Sequence, residues 1–92
     1  PMLSLALALI PGAVAAPVTL ELSVAPPGAT VECVGYDPVE VGVQAEVKGY
    51  SGTKCTVTST TNSATAEFAA IDGSVWSCAL GDEGSCERNH QP

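Results

Sequence analysis

The stretch VEVGVQAEVK, residues 39–48, alternates between two kinds of side chain over its whole length. Its valines and Ala45 share one parity, whereas its glutamates, Gln44 and Lys48 share the other. A repeat of two residues is typical of a β-strand that turns one face to a core and the other to water. The stretch therefore predicts a half-buried strand, and with it a sheet.

Most of the chain after residue 16 has β character as well. Apolar and polar residues alternate, or threonine and valine dominate, and turn signals such as Pro-Pro-Gly and Asp-Gly separate the runs. The predicted strands cover residues 18–24, 30–36, 39–48, 54–60, 64–70 and 74–80. Six short strands at regular spacing predict an all-β fold, either a small antiparallel β-sandwich or a barrel. Residues 81–85 are expected to form a polar loop, and residues 87–92 a frayed tail.

The first residues have the pattern of an export signal. An apolar run over residues 2–10 ends at Pro11-Gly12 and is followed by small residues up to Ala16. Such a run before a small-x-small site is typical of a cleaved signal peptide, although a buried N-terminal helix or strand is the alternative. Cleavage after Ala15 fits best, since it leaves Ala16-Pro17 at the new N-terminus. We predict a signal peptide over residues 1–15 and a single secreted, extracellular β domain over residues 16–92.

Four cysteines in so short an exported chain predict a disulfide framework, whereas free thiols would require a cytosolic protein. Three pairings are possible. Cys33–Cys55 with Cys78–Cys86 is favoured, because the first pair would join strands flanking the clear central strand and the second would fix the C-terminus. The main competitor, Cys33–Cys78 with Cys55–Cys86, would cross between two sheets. Each bond is expected to contribute about 2–4 kcal/mol.

The charge balance limits the possible partners. Ten Asp and Glu residues stand against three Lys and Arg residues, which gives a formal charge of −7, and every acidic residue follows Pro17. Such a surface repels phosphate backbones and anionic lipid headgroups, so we expect no nucleic acid and no membrane among the partners after signal cleavage. It favours solubility and permits a basic partner.

Catalytic chemistry has little support in the sequence. The only histidine, His90, lies near the end of the frayed tail, where a Ser–His or Cys–His pair could not be held rigidly. Asp37 and Glu40 are close in sequence, but a small domain offers little room for a cleft between paired carboxylates. No glycine-rich phosphate loop occurs. The protein is therefore predicted not to be an enzyme.

Metal and cofactor sites also have little support. Cys78, Cys86 and His90 could supply three zinc ligands, but there is no CxxC pair and an oxidising compartment disfavours free thiolates. Carboxylates within residues 82–87 could contact calcium, although their spacing matches no calcium loop. No cofactor and no metal are expected.

The aromatic residues are candidates for a binding patch. An exposed tryptophan or tyrosine beside a loop is a typical anchor of a protein interface. Trp76 is expected mainly in the core, and Tyr50, in a predicted turn at residues 49–52, could be buried or exposed. The residues considered for an interaction surface are Val34, Gly35, Tyr36, Tyr50 and Trp76.

The segment CVGYDPV, residues 33–39, resembles the reactive-loop region of the secreted bacterial subtilisin-inhibitor family, where a cysteine shortly precedes Tyr-Asp-Pro-Val and an alternating strand. The resemblance implies that Val34 or Gly35 faces a protease, on an extended loop braced by a disulfide. The chain departs from the family pattern by having one residue fewer between Cys33 and Tyr36, a shorter interval to the next cysteine and a smaller size.

The general plan is similar to that of small secreted effector-like proteins of fungi. The shared features are a signal that ends in Ala-Ala-Pro-Val, a short β-rich domain and a few disulfides. This resemblance transfers no functional residue. It favours a secreted, non-enzymatic binding or host-interaction protein whose partner is a protein or surface component. The alternatives are an extracellular serine protease inhibitor and a structural cell-wall or surface component, and the oligomeric state stays open.

Overall fold

A computed structural model describes residues 15–89 of the chain. The described residues form eight strands and contain no helix, which confirms the all-β prediction. Accordingly, this part of the chain has no apolar helix of membrane-spanning length. The strands are β1 (Pro17–Ala25), β2 (Ala29–Cys33), β3 (Val39–Val41), β4 (Gln44–Tyr50), β5 (Lys54–Ser59), β6 (Thr65–Ala69), β7 (Val75–Leu80) and β8 (Gly84–Asn89).

The strands form two four-stranded sheets that do not join into a closed barrel. Sheet I has the order β4-β1-β7-β8, and sheet II has the order β3-β2-β5-β6. All neighbouring strands are antiparallel except β1 and β7, which run parallel, with Leu22 opposite Trp76. The purely antiparallel prediction is therefore wrong for this pair. All four strands of sheet II lie between β1 and β7 in the chain, β4 is added to sheet I between β3 and β5, and β7 then runs in the direction of β1.

The core is formed by the buried faces of strands from both sheets. In β1 the side chains alternate between buried and accessible along the whole strand. The largest fully buried side chains are Leu20, Leu22, Leu80, Val31, Val41, Val47, Val57 and Cys55. Burial of apolar surface contributes roughly 25 cal/mol per Å². A core made mainly of valine, leucine and alanine therefore leaves a substantial role for the disulfides.

The stretch at residues 39–48 is two strands and not one. β3 belongs to sheet II and β4 to sheet I, and the chain crosses between the sheets at Gly42-Val43. The Gly28 amide donates to the Gly42 carbonyl (2.8 Å), and the Val24 amide donates to the Val43 carbonyl (2.9 Å). Because these bonds turn the backbone at the crossing, Val43 is 62% exposed despite its apolar parity.

The C-terminal region also differs from the prediction. Residues 84–89 form β8, which pairs with β7 in six register positions, and residues 81–83 make the connection. Gly84 lies directly against the Thr65 carbonyl of β6, where a Cβ atom would overlap the backbone. This contact brings the edge of sheet I against the edge of sheet II. Residues 90–92, including His90, lie outside the described residues.

The four cysteines form two disulfides, Cys33–Cys55 and Cys78–Cys86. This is the pairing favoured from the sequence, although part of the reason was wrong. β2 and β5 are hydrogen-bonded neighbours and do not flank another strand. Each disulfide joins two cysteines that lie directly opposite each other on neighbouring strands of one sheet. Their Cα atoms are 4.1 and 4.0 Å apart. Two disulfides are consistent with an extracellular protein.

Candidate binding surface

Residues 34–38 connect β2 to β3 at one end of sheet II; together with Val39, the first residue of β3, they are called the Tyr36 loop. It starts directly after the Cys33–Cys55 disulfide, and the Tyr36 amide donates to the Cys33 carbonyl (3.0 Å) to close a turn. Gly35 has a φ of +88°, a conformation that side-chain-bearing residues rarely adopt. The disulfide and the turn together define the shape of the loop.

An aromatic pair attaches the Tyr36 loop to sheet I. The rings of Tyr36 and Tyr50 have centroids 4.9 Å apart at an angle of 41°, a spacing typical of favourable aromatic contacts. The Gly35 backbone packs against the same Tyr50 ring, where a Cβ atom would come within 2.6 Å of Cε2. Tyr50 is itself positioned by Thr53, whose amide and hydroxyl both donate to the Tyr50 carbonyl (3.0 and 2.7 Å).

The Tyr36 loop concentrates exposed apolar surface. Among the described residues, the large hydrophobic side chains that are exposed are Val34 (62%), Val39 (38%) and Val43 (62%). Val34 and Val39 belong to the Tyr36 loop and lie two residues before and three residues after the half-buried Tyr36. Val43 lies at the crossing of the two sheets, near Val24 and beyond the opposite end of β2. The loop is therefore a small apolar patch on a braced segment.

A groove runs beside this patch. Its volume is about 380 Å³, with residues of the loop on one side and Glu46 and Lys48 of β4 on the other. The residues that line it are Tyr36, Asp37, Pro38, Val39, Glu46 and Lys48. The groove thus combines one aromatic and two aliphatic side chains with two carboxylates and one ammonium group.

Partial burial and the neighbouring Tyr50 hydroxyl, in that order, raise the pKa of Tyr36 above its ordinary value of 10.0. A raised pKa means that the folded state holds the proton more tightly than the unfolded chain does. The resulting contribution to stability is therefore present below about pH 10 and is lost as the pH rises through the raised value.

We expect an ultraviolet absorbance titration to show that Tyr36 ionises above the ordinary range. Tyr50→Phe keeps the neighbouring ring and removes its ionisable hydroxyl, so it should lower the pKa of Tyr36 toward the ordinary value. Tyr36→Phe should remove the high transition altogether. If Tyr36 titrates normally in the wild-type chain, its partial burial beside Tyr50 is contradicted.

The structure brings together Val34, Gly35, Tyr36 and Tyr50 of the residues proposed from the sequence, and it separates Trp76 from them. Trp76 lies on β7, two strands away from β4 in sheet I. Its half-buried ring packs against Phe68, with centroids 5.6 Å apart, and its Nε1 donates to the Ser74 hydroxyl (3.0 Å). Trp76 is thus a satisfied residue at the margin of the core.

Of the six residues that line the groove, only Tyr36 was proposed from the sequence for an interaction surface. Val39 was assigned to a buried face, and Glu46 and Lys48 were assigned to the wet face of the same strand. Their alternation continues unchanged through the crossing at Gly42, so no local signal shows that Val39 and the two charged residues lie on different sheets. Only the pairing of β3 with β2 and of β4 with β1 reveals the groove.

Thiol and metal chemistry can be assessed from the described residues. None of the four cysteines is free, so Cys78 and Cys86 cannot act as thiolate ligands or nucleophiles. Within residues 15–89, no group of three His, Cys, Asp or Glu side chains is placed to hold a metal ion.

Comparison with known proteins gives no relative: no protein-family model matches the chain, and neither a curated protein nor a solved structure is significantly similar to it.

Proposed function

We propose that the chain is a secreted, non-enzymatic binding protein that contacts another protein or a surface component through the Tyr36 loop. The observation that carries the proposal is the 62% exposure of Val34 on a loop anchored by Cys33–Cys55 and by the Tyr36–Tyr50 pair. A loop already held in one shape loses little conformational entropy on binding. Exposed apolar and aromatic side chains on such a loop are typical anchors of protein interfaces.

We further infer that the two sheets pack face to face as a β-sandwich. The support is one continuous core to which both sheets contribute, for example Leu22 of β1 and Val57 of β5. The contact of Gly84 with Thr65 brings the two sheets close together at one side. No ladder of backbone hydrogen bonds joins the two sheets. In this arrangement the Tyr36 loop lies at one end of the sandwich, which is where loops can vary without loss of the core.

Export is proposed to remove residues 1–15, of which 1–14 lie outside the described residues. The carbonyl of Ala16 accepts a hydrogen bond from the Ser51 amide (2.8 Å), so the new N-terminus would remain attached to the fold. We expect the intact mass of the protein from the medium of its native host to start at Ala16, with all cysteines alkylated only after reduction. Retention of the first residues together with freely alkylated cysteines would contradict export.

The binding proposal is tested by paired variants that differ only in the site of one charge. Val34→Asp places a carboxylate in the apolar patch, and Val43→Asp makes the same change at an equally exposed valine (62%) elsewhere. We expect immobilised wild-type protein and Val43→Asp to retain the same partner from extracellular fluid and surface extracts of the native host and its surroundings. Val34→Asp should retain at least tenfold less of it. Equal retention by all three proteins would contradict the Tyr36 loop as the contact surface.

Inhibition of an extracellular serine protease is the second candidate. The observation that favours this function is the exposure of Val34 directly after a disulfide-bonded cysteine. The resemblance to subtilisin inhibitors implies a protease-facing residue at this position. However, the turn closed between Tyr36 and Cys33 and the positive φ of Gly35 give a folded loop and not an extended one. In the same experiment, inhibition would be indicated if the retained partner were a serine protease whose activity fell on mixing with equimolar wild-type protein but not with Val34→Asp.

A further inference from the structure

β4 is an edge strand of sheet I, and its backbone has a free side. The Val24 amide donates to the Val43 carbonyl, and the Ser51 amide donates to the Ala16 carbonyl. These two bonds show which residues of β4 form hydrogen bonds with β1 in the register of the pair. In an antiparallel pair, hydrogen-bonded and non-hydrogen-bonded positions alternate. The odd-numbered residues of β4 therefore bond to β1. The even-numbered residues of β4 point their amide and carbonyl groups away from β1. These are Gln44, Glu46, Lys48 and Tyr50, of which the Tyr50 carbonyl already accepts from Thr53.

This free side is accessible. Within residues 15–89, no strand pairs with β4 on the side away from β1. Glu46 and Lys48 are both exposed, and they line the groove of about 380 Å³ that separates β4 from the Tyr36 loop. A row of unpaired amide and carbonyl groups along a groove is a template for the addition of a further strand.

We propose that the strand added there is β4 of a second copy of this chain, antiparallel, around a twofold axis at Val47. In this register Glu46 lies opposite Lys48 of the second copy, and Lys48 lies opposite its Glu46. All four residues have free amide and carbonyl groups on this side, so the backbone ladder and both charge pairs form together. A twofold interface of this kind uses the same surface patch on both copies.

The charges specify this register against its neighbours. A shift of two residues in one direction puts Glu46 opposite Glu46 of the second copy, and the opposite shift puts Lys48 opposite its Lys48. Like charges directly opposite in a ladder are destabilising. A shift of one residue pairs free backbone groups with groups that already bond to β1, and no ladder forms. The alternation of Glu46 and Lys48 therefore favours one antiparallel pairing of β4 with itself.

The overall charge of −7 opposes any association of two copies. This repulsion acts over the whole molecule, and it is screened beyond about 8 Å at physiological ionic strength, whereas a cross-strand pair is in direct contact. The dimer is therefore expected to tighten as salt is raised from low to physiological concentration. Because only short strands and few side chains take part, we expect a weak dimer whose population changes with protein concentration.

Sedimentation velocity of the secreted chain over a range of concentrations tests the proposal. Glu46→Lys and Lys48→Glu each place like charges opposite in the ladder, so each should raise the dimer dissociation constant at least tenfold. The double variant has the net charge of the wild type and reverses both pairs, so it should restore the wild-type constant. Glu87→Lys makes the first of these changes on β8, at the other edge of sheet I, and should not weaken the dimer.

The design separates the local pairs from the general charge. Glu46→Lys lowers the net negative charge, and a general repulsion alone would make this variant associate more strongly. A wild-type chain that stays monomeric at all concentrations, or a dimer that the single variants leave unchanged, would overturn the proposal. Failure of the double variant to restore the dimer would do the same, provided that circular dichroism shows a wild-type fold. A monomer whose β4 amides become protected from exchange only when a captured partner is added would assign the edge to that partner.

Discussion

Replacing Cys33 and Cys55 together with alanine is expected to lower the free energy of unfolding by about 3 kcal/mol or more. The two residues are separated by 22 positions, and the entropy of closing a loop of that length in the unfolded chain accounts for about 3 kcal/mol. Both cysteines are also fully or almost fully buried, so their removal takes sulfur atoms out of the core. A domain of about 75 residues has a total stability of about 4–11 kcal/mol. The variant should therefore lose a large part of its stability.

Urea denaturation of the wild type and the double variant, followed by circular dichroism, measures this loss. The matched control is Cys78→Ala with Cys86→Ala, which opens a loop of 8 positions and removes one buried and one half-buried sulfur atom. Its expected cost is smaller, about 2.5 kcal/mol. An equal or larger loss for the second pair would contradict the explanation by loop length and burial.

The first disulfide also connects stability to the candidate binding surface. The Tyr36 loop begins at the residue after Cys33, and its turn is closed on the Cys33 carbonyl. Removal of the bond therefore frees the end of β2 that carries the loop, although the Tyr36–Tyr50 contact would remain. This makes the bond a candidate for holding the loop in a binding shape as well as for stabilising the fold.

Local alternation predicts the strands of this protein well, because the repeat of a half-buried strand depends only on neighbouring residues. The predicted strand at residues 18–24 is β1, Pro17–Ala25, and the one at residues 74–80 is β7, Val75–Leu80. The same signal contains no information about the partner of each strand. Neither the parallel pairing of β1 with β7 nor the change of sheet at Gly42 could be predicted from it.

The C-terminal strand shows a different limit of the sequence argument. The segment GSCERN, residues 84–89, has no apolar repeat and five of its residues are polar or glycine, so it was assigned to a loop and a tail. It is a strand because β7 offers a free edge and because Cys86 is bonded to the opposite Cys78. The decisive contributions are therefore the disulfide and the neighbouring strand, and neither is a property of the segment.

The candidate site was partly predictable for the same reasons. Val34, Gly35 and Tyr36 could be proposed because an apolar residue, a glycine and an aromatic residue follow a cysteine between two strands. The contact of Tyr36 with Tyr50 joins a loop at the end of sheet II to a strand of sheet I and could not be inferred from spacing. Trp76 was proposed because of its residue type alone, and its environment depends on Phe68 of the other sheet.

Leu22→Ala is expected to cost about 3–5 kcal/mol in the free energy of unfolding. Leu22 is 0% exposed and lies in the middle of β1, an interior strand of sheet I, opposite Ala45 on one side and Trp76 on the other. Truncation of a buried leucine removes its transfer free energy and leaves a cavity, which together cost about 2–5 kcal/mol. The upper part of this range is expected, since strands on both sides of β1 fix the backbone and limit collapse around the cavity.

The control is Val43→Ala, which truncates a valine that lies between β3 and β4 and is 62% exposed. This change should alter the free energy of unfolding by no more than about 0.5 kcal/mol. Urea denaturation of both variants with the disulfides intact measures the difference. A loss below about 1 kcal/mol for Leu22→Ala would mean that the core repacks around β1 and that the disulfides supply most of the stability. Neither disulfide connects the two sheets, so the shared core must account for their association. A small loss of stability in Leu22→Ala would contradict this role of the core.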